Sequence, residues 1–569
     1  MSEFPRTPWL DNYGDIPFHL DYFEGSIFDA VKRISNCYPR NIAFDFMGDK
    51  TTYYSFVDKI VQSAYSLFAM GIKKGDRVIL CMPNCPQTLV LFYAINYIGA
   101  VACMIHPLSA EKEIEFYIND SKSVAAVTLD QFYTKFKAII ESNNSFQLIL
   151  TSISDALLQP MKMLYKLTEE RKIPDIPEKS NIIRWKDFLI AGKTTENDPY
   201  SQYVPDKPAV ILYSGGTTGK AKGVLLSDKN FNALGKQIIA TNPMFCVGDK
   251  MLAVMPVFHG FGLGVSIHSM LMNGGRCILV PRFTPESYAK LIVKSRCNFI
   301  AGVPTLFEAL MRQSVLDNAD LSHLKGVFCG GDSLSVELKK KFDVFLLNHN
   351  CKVKIREGYG TTECVTASCL TPIHLAKEGS IGQPFPDTYY KIVKVGTTDE
   401  VEYGTEGEIC ISGPTVMLGY LDREKETADV LKKHADGLCW VHTGDLGLMD
   451  EDGFVYFKQR LKRVIITNGY NVYPSAIESI LDSYELIEMS CVIGVADSLK
   501  MQKVKAYVVL RDGVPANDDT RNLIMEFCHK HIARYALPRE IEFRESLPKT
   551  LVGKVAYRTL EEENNNTSD

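Results

Sequence analysis

The sequence has no C-x-x-C pair, no basic run near its start, no surplus of positive charge and no repeat at a fixed period. Each absence removes a class of protein. Fifteen cysteines, an odd number, scatter from Cys37 to Cys528, which suits reduced core thiols in a cytosol and not a disulfide framework. A formal charge of −5 offers no field to draw nucleic acid. The opening MSEFPRTPWLDNYGD has neither the basic nor the apolar region of a secretory signal, so a soluble, cytoplasmic protein is expected.

Long apolar runs are also scarce. One uncharged stretch, residues 88–105, has the length of a membrane-spanning helix. Prolines at 83, 86 and 107 bracket it and Gly99 interrupts it. It therefore reads as a buried helix, LVLFYAINYIG, followed by a buried strand, AVACMIHP.

What is present fits a large globular protein: 569 residues, 46% hydrophobic and 23% charged, exceed what one hydrophobic core serves. Short β-branched runs (DRVILCM, AVACMIH, AAVTL, AVILYS, MLAVMPV, GRCILV, NFIAGVP, GVFCGG) alternate with helical patterns. That alternation predicts an α/β fold with two βα sheets in a large N-terminal domain. From about Gly382 the texture shifts to turn-rich strands, YYKIVKV, GEICISG and GFVYFKQ, which predicts a smaller β-barrel-like subdomain. Beyond the charged KQRLKR at 458–463 come helix, strands and helix, the make-up of a small α+β domain. We place the boundary at 1–460 and 461–569, with the polar EEENNNTSD tail expected to fray.

The strand AVILYS runs into SGGTTGKAKG, residues 214–223. Its small residues expose backbone N–H groups, its hydroxyls donate, and Lys220 and Lys222 add positive charge, which together suit a polyphosphate. It is no Walker A loop, because Ser214 stands at the first glycine position and Ala221 follows Lys220 where a metal-binding hydroxyl is needed. Asp445, in a Thr-Gly-Asp turn, can accept hydrogen bonds from both hydroxyls of a ribose.

The loop YSGGTTGKAKG resembles that of the AMP-forming adenylate synthetases, the superfamily of acyl-CoA ligases, luciferases and peptide-synthetase adenylation domains. Gly215 and Ala221 depart from the general consensus and are similar to the bacterial long-chain fatty-acyl-CoA ligases. Further motifs follow in the family's order: MPVFHGFG at 255–262, GGD at 330–332, EGYGTTE at 357–363, TGD at 443–445, QRLK at 459–462, NGYNVYP at 468–474 and PKTLVGK at 548–554.

The resemblance implies a role for each. Ser214, Gly215, Gly216, Thr217, Thr218, Gly219 and Lys222 would cradle phosphates. Gly331, Asp332, Glu357, Gly358, Tyr359, Gly360, Thr361 and Thr362 would surround the adenylate, with Tyr359 stacked on adenine. Thr361 stands where the family usually has Leu or Met. Asp445 and Arg460 would hold the nucleotide, while Glu363 and Thr218 would take Mg²⁺. His259, Phe261, Gly330, Gly331, Thr366 and Ala367 would line the acyl site. Lys554, Thr218, Glu363 and His259 are the implied catalytic set, Lys462 the implied hinge, and Gly469 and Tyr470 the loop beside CoA.

The activity implied is ATP-dependent formation of an acyl-AMP followed by transfer to CoA, with a medium- or long-chain fatty acid as substrate. An aryl acid, a carrier-protein thiol and a non-catalytic acyl or nucleotide sensor are the alternatives. Peripheral membrane association and a homodimer stay open.

Overall fold

The computed structural model describes residues 5–169, 173–214, 221–467, 470–497, 501–550 and 554–566. Two mostly parallel sheets carry the large domain. In the first, strands Pro208–Ser214, Val101–Met104, Arg77–Cys81, Ala125–Leu129, Gln147–Thr151 and Ile182–Arg184 run parallel in that order. The antiparallel strands Lys222–Ser227 and Gly419–Tyr420 extend its other edge. The second has nine strands around a parallel centre formed by Ile355–Tyr359, Gly326–Cys329, Phe299–Gly302, Lys250–Ala253, Arg276–Leu279 and Ile42–Phe46.

Every parallel run anticipated from the sequence is therefore a strand, because fully buried parallel strands read as unbroken apolar segments. The 88–105 stretch divides as expected into helix Pro86–Tyr97 and strand Val101–Met104. All residues of that helix after Pro86 are buried, which accounts for its uniform apolarity without a lipid. No described helix is long and apolar enough to cross a membrane.

The smaller subdomain is a five-stranded antiparallel sheet of Tyr389–Val393, Gly407–Ser412, Leu431–Lys433, Cys439–Met449 and Val455–Arg460. A separate apolar cluster beginning at Ile465 supports the last domain. There Ile487–Asp497 and Met501–Leu510 form a long antiparallel pair, with Glu540–Phe543 added in parallel and helices Pro474–Asp482 and Asp518–His531 alongside.

The chain end corrects one expectation. Residues 557–566 form a helix, Tyr557–Asn566. Leu560 is fully buried, and buried Asn564 accepts a hydrogen bond from Lys505 Nζ at 3.1 Å. The polar composition of EEENNN masked this docking, because few apolar residues are needed: Leu560 packs on the sheet, and polar Asn564 and Glu563 bind Lys505 and Arg544.

Candidate active site

Asp445 lies in the long strand Cys439–Met449, just past a bulge at Gly444, and it is fully buried. Its Oδ2 accepts the Tyr359 hydroxyl at 2.6 Å, and its Oδ1 faces Arg460 Nε at 3.1 Å. Burial raises its carboxyl above the ordinary range, while Arg460 and Tyr359 oppose that shift. Arg460 is its cross-strand partner, so β pairing itself sets this contact.

Lys554 reaches the same place from the far end of the chain. Its Cε stands 3.9 Å from where a Cβ on Gly331 would lie. Burial lowers its ammonium below the usual lysine value; Asp332 and Asp445 favour the charge, and Arg460 opposes it. His259 shares this neighbourhood: burial and then the Lys554 charge bring it down to about 4. Its imidazole is neutral at pH 7, with Nδ1 accepting the Phe261 N–H at 3.3 Å.

Asn84 holds the approach to His259. Its amide donates to the carbonyls of Ala253 and Met255 at 3.0 and 2.9 Å and accepts from Val257 N–H at 2.8 Å. The segment then enters Phe261–His268, a wide π-type helix of the kind often found at functional sites. Glycine is required within it, since a Cβ on Gly262 would stand 2.1 Å from the Pro256 carbonyl oxygen.

Glu363 is half-buried, and its Oε1 accepts the Tyr420 hydroxyl at 2.7 Å. Tyr420 also carries Lys222 Nζ 4.9 Å above its ring, and that ammonium pairs with Glu426. Lys222 thus lies beside Glu363 with its charge already engaged. Ser214 sits opposite Lys222 in the hairpin, while Gly215, Gly216, Thr217, Thr218 and Gly219 lie outside the described residues.

The EGYGTTE segment folds tightly. Glu357 is 7% exposed and accepts the Leu334 N–H at 3.1 Å, which ties it to the Gly330–Asp332 loop; burial raises its carboxyl to about 7. Gly358 pairs with Leu370. At Gly360 a Cβ would stand 2.1 Å from the Thr366 carbonyl oxygen and 2.8 Å from the Ala367 Cα. Thr366 adopts a left-handed φ of 81°, a strained choice for a β-branched residue. Among the described residues, the hydroxyl oxygens of Thr361 and Thr366 are buried without a hydrogen-bond partner. Thr362 follows, half-buried, at the start of the short turn bearing Glu363. Phe261 lies 3.8 Å from the position of a Gly330 Cβ, so Gly330 and Phe261 share one wall.

These residues therefore come together from two domains: Lys554, Asp332, Asp445, Arg460, Tyr359 and His259 around one point, and Glu363, Tyr420 and Lys222 beside it. The AMP-binding enzyme family matches residues 31–421, and its C-terminal domain matches residues 476–554. The chain belongs to the AMP-binding enzyme family. A long-chain-fatty-acid–CoA ligase of Bacillus subtilis is 35% identical over 568 residues, with 98% of each chain covered. One from Salmonella typhimurium is 31% identical with the same coverage. Among solved structures, ATP-bound MatB from Rhodopseudomonas palustris superposes with a TM-score of 0.81 at 24% identity, over 95% of this chain and all of that one, a likeness of fold.

In this AMP-binding enzyme the domain crossover has a simple layout. Arg460 reaches back to Asp445, whereas Arg463 reaches forward to Glu478 Oε1 at 2.5 Å and Val492 O at 3.2 Å. Lys462 sits between them in the turn Leu461–Arg463, exposed. The domains also touch through the Tyr473 hydroxyl on Glu406 at 2.6 Å, Ser475 Oγ on the Lys458 carbonyl at 2.7 Å and Arg312 to Glu488 at 3.3 Å. Tyr470 begins strand Tyr470–Val472, and Gly469 is outside the described residues.

Sequence reasoning missed Asn84, Tyr420 and Glu408. Glu408 accepts the Gly444 N–H at 3.0 Å and so fixes the turn before Asp445. Its signal was readable: a carboxylate within the apolar strand GEICIS needs a partner.

Proposed function

We propose that this AMP-binding enzyme joins a medium- or long-chain fatty acid to CoA, with ATP converted to AMP and pyrophosphate. The observation that carries the reading is Lys554 beside Gly331, Asp332 and Asp445, a cation brought from the small domain to the point where nucleotide and acid would meet. The B. subtilis and S. typhimurium relatives support both acid and acceptor.

A carboxylate has no competent leaving group, so its oxygen first attacks the α-phosphorus of ATP. An acyl-AMP anhydride forms and pyrophosphate departs. Lys554 stabilises the negative charge that develops on the phosphate and carboxylate oxygens, in a partly desolvated setting that strengthens the effect. Asp445 holds the ribose, Tyr359 packs on the base, and the free hydroxyls of Thr361 and Thr366 turn toward phosphate and acyl oxygens. His259, neutral, closes the acyl side without adding charge. Glu363 fits a Mg²⁺ ligand: it is a hard oxygen donor, half-buried, oriented through one oxygen by Tyr420, and Thr218 would be its companion. When bound, that ion would neutralise charge on the phosphates.

The thiol must then approach where pyrophosphate and Lys554 had been. The small domain accordingly turns about Lys462, releasing the contacts of Tyr473, Ser475 and Arg312, and brings Gly469 and Tyr470 to the site. A small apolar void behind the wall of Gly330 and Phe261 is about the size of one water molecule, too small for an alkyl chain without repacking. It is lined by Ile238, Ile239, Phe245, Met251, Val265, Met270, Phe299 and Phe328, with Asn242 its one polar member. Phe328 leads through Cys329 to Gly330, and Val265 lies one turn beyond Phe261.

Pyrophosphate release and thioester formation, measured across acetate, octanoate, palmitate, benzoate and coumarate with and without CoA, test the reading. Octanoate or palmitate should react best and yield the CoA thioester. Preference for an aryl acid, or adenylate that accumulates untouched by CoA, would overturn it.

One surface favours peripheral membrane docking. Helix Met161–Glu169 has no buried residue, and Met161, Met163, Leu164 and Leu167 are exposed on it next to Lys162 and Lys166. An apolar ridge with lysines suits an anionic bilayer surface. Flotation with anionic vesicles should retain the wild type and release Leu164→Asp/Leu167→Asp; equal retention of both would rule the helix out.

A further inference from the structure

One cluster takes no part in the chemistry above. Cys410 and His442 stand directly opposite each other across strands Gly407–Ser412 and Cys439–Met449. The turn closed by His434 and Leu438 then folds His434 over them. One ligand atom of each lies within 4.8 Å of the others, and the three residues are 0%, 5% and 5% exposed. They sit with Val393 and Trp440 in an apolar patch apart from the larger cluster of Ile409, Ile411 and Val441. Strand alternation explains this, since 408, 410, 440 and 442 all face one side.

The polar atoms in this patch do not satisfy one another. The two Nε2 atoms of His434 and His442 are 2.9 Å apart, and His442 Nδ1 is 2.9 Å from Glu408 Oε2. A proton shared between the Nε2 atoms leaves His434 Nδ1 buried with no partner among the described residues, a loss of about 1–3 kcal/mol for such a group. Cys410 accepts and donates nothing that would compensate among the described residues.

We propose that Cys410, His434 and His442 form a buried site for a divalent cation of the zinc class, with Glu408 orienting His442 and a water completing a tetrahedral set. Imidazole nitrogens about 2.0–2.1 Å from such an ion lie roughly 3.3 Å apart, so the pair needs only a small separation. A carboxylate on the far ring nitrogen is the usual support of a metal-bound histidine. Two imidazoles and a thiolate select zinc over magnesium, which keeps this site distinct from Glu363. Binding replaces the Cys410 S–H proton, which leaves to solvent, and the thiolate and Glu408 together offset the ion's charge. The nearby Lys391 ammonium is already held by Asp436 at 2.7 Å and rests 4.2 Å over Trp440. Because the other Glu408 oxygen holds Gly444, the ion would also stiffen the turn that presents Asp445.

Titration of the chelator-treated full-length protein with Co²⁺ and Zn²⁺, in excess Mg²⁺, tests the site. One equivalent of Co²⁺ should give tetrahedral ligand-field bands with a thiolate-to-cobalt charge-transfer band, and Zn²⁺ should displace it. Cys410→Ser should abolish the charge-transfer band and His434→Gln should weaken binding at least tenfold, with far-ultraviolet dichroism confirming that each variant is folded. Cys439→Ser, which alters an exposed neighbouring thiol, should change neither. Absence of the band in the wild type, its persistence in Cys410→Ser, or its loss in Cys439→Ser would each overturn the proposal.

Discussion

Replacing Lys554 with alanine should separate the two half-reactions. The lysine Cε lies 3.9 Å from the point where a Cβ on Gly331 would stand. Its charge is depressed first by burial and then by Arg460, against support from Asp332 and Asp445. A cation so placed is preorganised for charge that appears only as pyrophosphate leaves. Removing one preorganised donor of this kind costs roughly 10²–10³ in kcat, about 3–4 kcal/mol. Single-turnover pyrophosphate release from palmitate, ATP and Mg²⁺ should fall by that factor. CoA thioester formation from supplied palmitoyl-AMP should stay within about threefold of wild type, because Lys554 has by then withdrawn with its domain. The lowered ammonium adds a pH signature: adenylation should decline on the alkaline side earlier than an ordinary lysine allows. Asp332→Asn, which removes a charge that favours the ammonium, should shift that decline to still lower pH. Equal losses in both half-reactions would refute the domain-alternation reasoning, and an unmoved alkaline limb in Asp332→Asn would refute the electrostatic part.

Three further outcomes follow from named contacts. Tyr420→Phe deletes the 2.7 Å hydrogen bond to Glu363, so the Mg²⁺ concentration for half-maximal adenylation should rise severalfold, with folding unchanged by dichroism; an unaltered Mg²⁺ dependence would detach Glu363 from the metal. Glu357→Gln addresses stability. The Glu357 carboxyl is raised from 4.5 to about 7 in the folded state, so the native state holds the extra proton, and stability is greatest below pH 4.5 and declines as pH climbs through 7. Urea unfolding at pH 5 and pH 8 should show a loss in the wild type larger by up to about 3 kcal/mol than in the variant, which keeps the similarly raised Asp482. Identical pH slopes would contradict it. Gly360→Ala forces a Cβ to 2.1 Å from the Thr366 carbonyl oxygen and should cost about 1–3 kcal/mol while lowering kcat, as thermal unfolding and pyrophosphate release would report.

How far the sequence revealed this depends on the kind of information. The parallel strands were legible because burial on both faces writes an unbroken apolar word such as AVILYS or NFIAGVP. Motif residues such as Asp445 and Glu363 could be singled out because the chemistry proposed for them requires particular side chains. The residues that hold them were not. Asn84 is an isolated amide following Met82-Pro83, and only the tertiary fold shows that it binds three backbone groups of the approach to His259. Tyr420 lies in GYLD, where a tyrosine is unremarkable until the strand Gly419–Tyr420 is seen to join the sheet edge beside Glu363. The helix at the chain end escaped because composition suggested solvation, whereas a few contacts to Lys505 and the sheet decide its state.

The charge arrangement explains why the site should require its nucleotide before it can work. Lys222 is paired with Glu426, and Arg460 faces Asp445, so two cations suited to phosphate are committed to carboxylates. Lys554 is the cation whose ammonium is destabilised by its surroundings. An incoming polyphosphate would relieve that penalty directly. Asp445 must meanwhile accept ribose while still engaging Tyr359 and Arg460, and a carboxylate has about four lone-pair directions, enough to accept from ribose without losing either. In the proposed reaction a nucleotide would complete the existing network around Asp445 and add negative charge beside Lys554 to that of Asp332 and Asp445. Once pyrophosphate departs, much of that charge goes with it. Lys554 then returns to an unfavourable burial, and the contacts that remain to hold the small domain, at Tyr473, Ser475 and Arg312, are a few polar interactions near the surface. Such contacts are each worth about 1 kcal/mol or less, so in the proposed cycle product departure would favour release of the domain toward its second position.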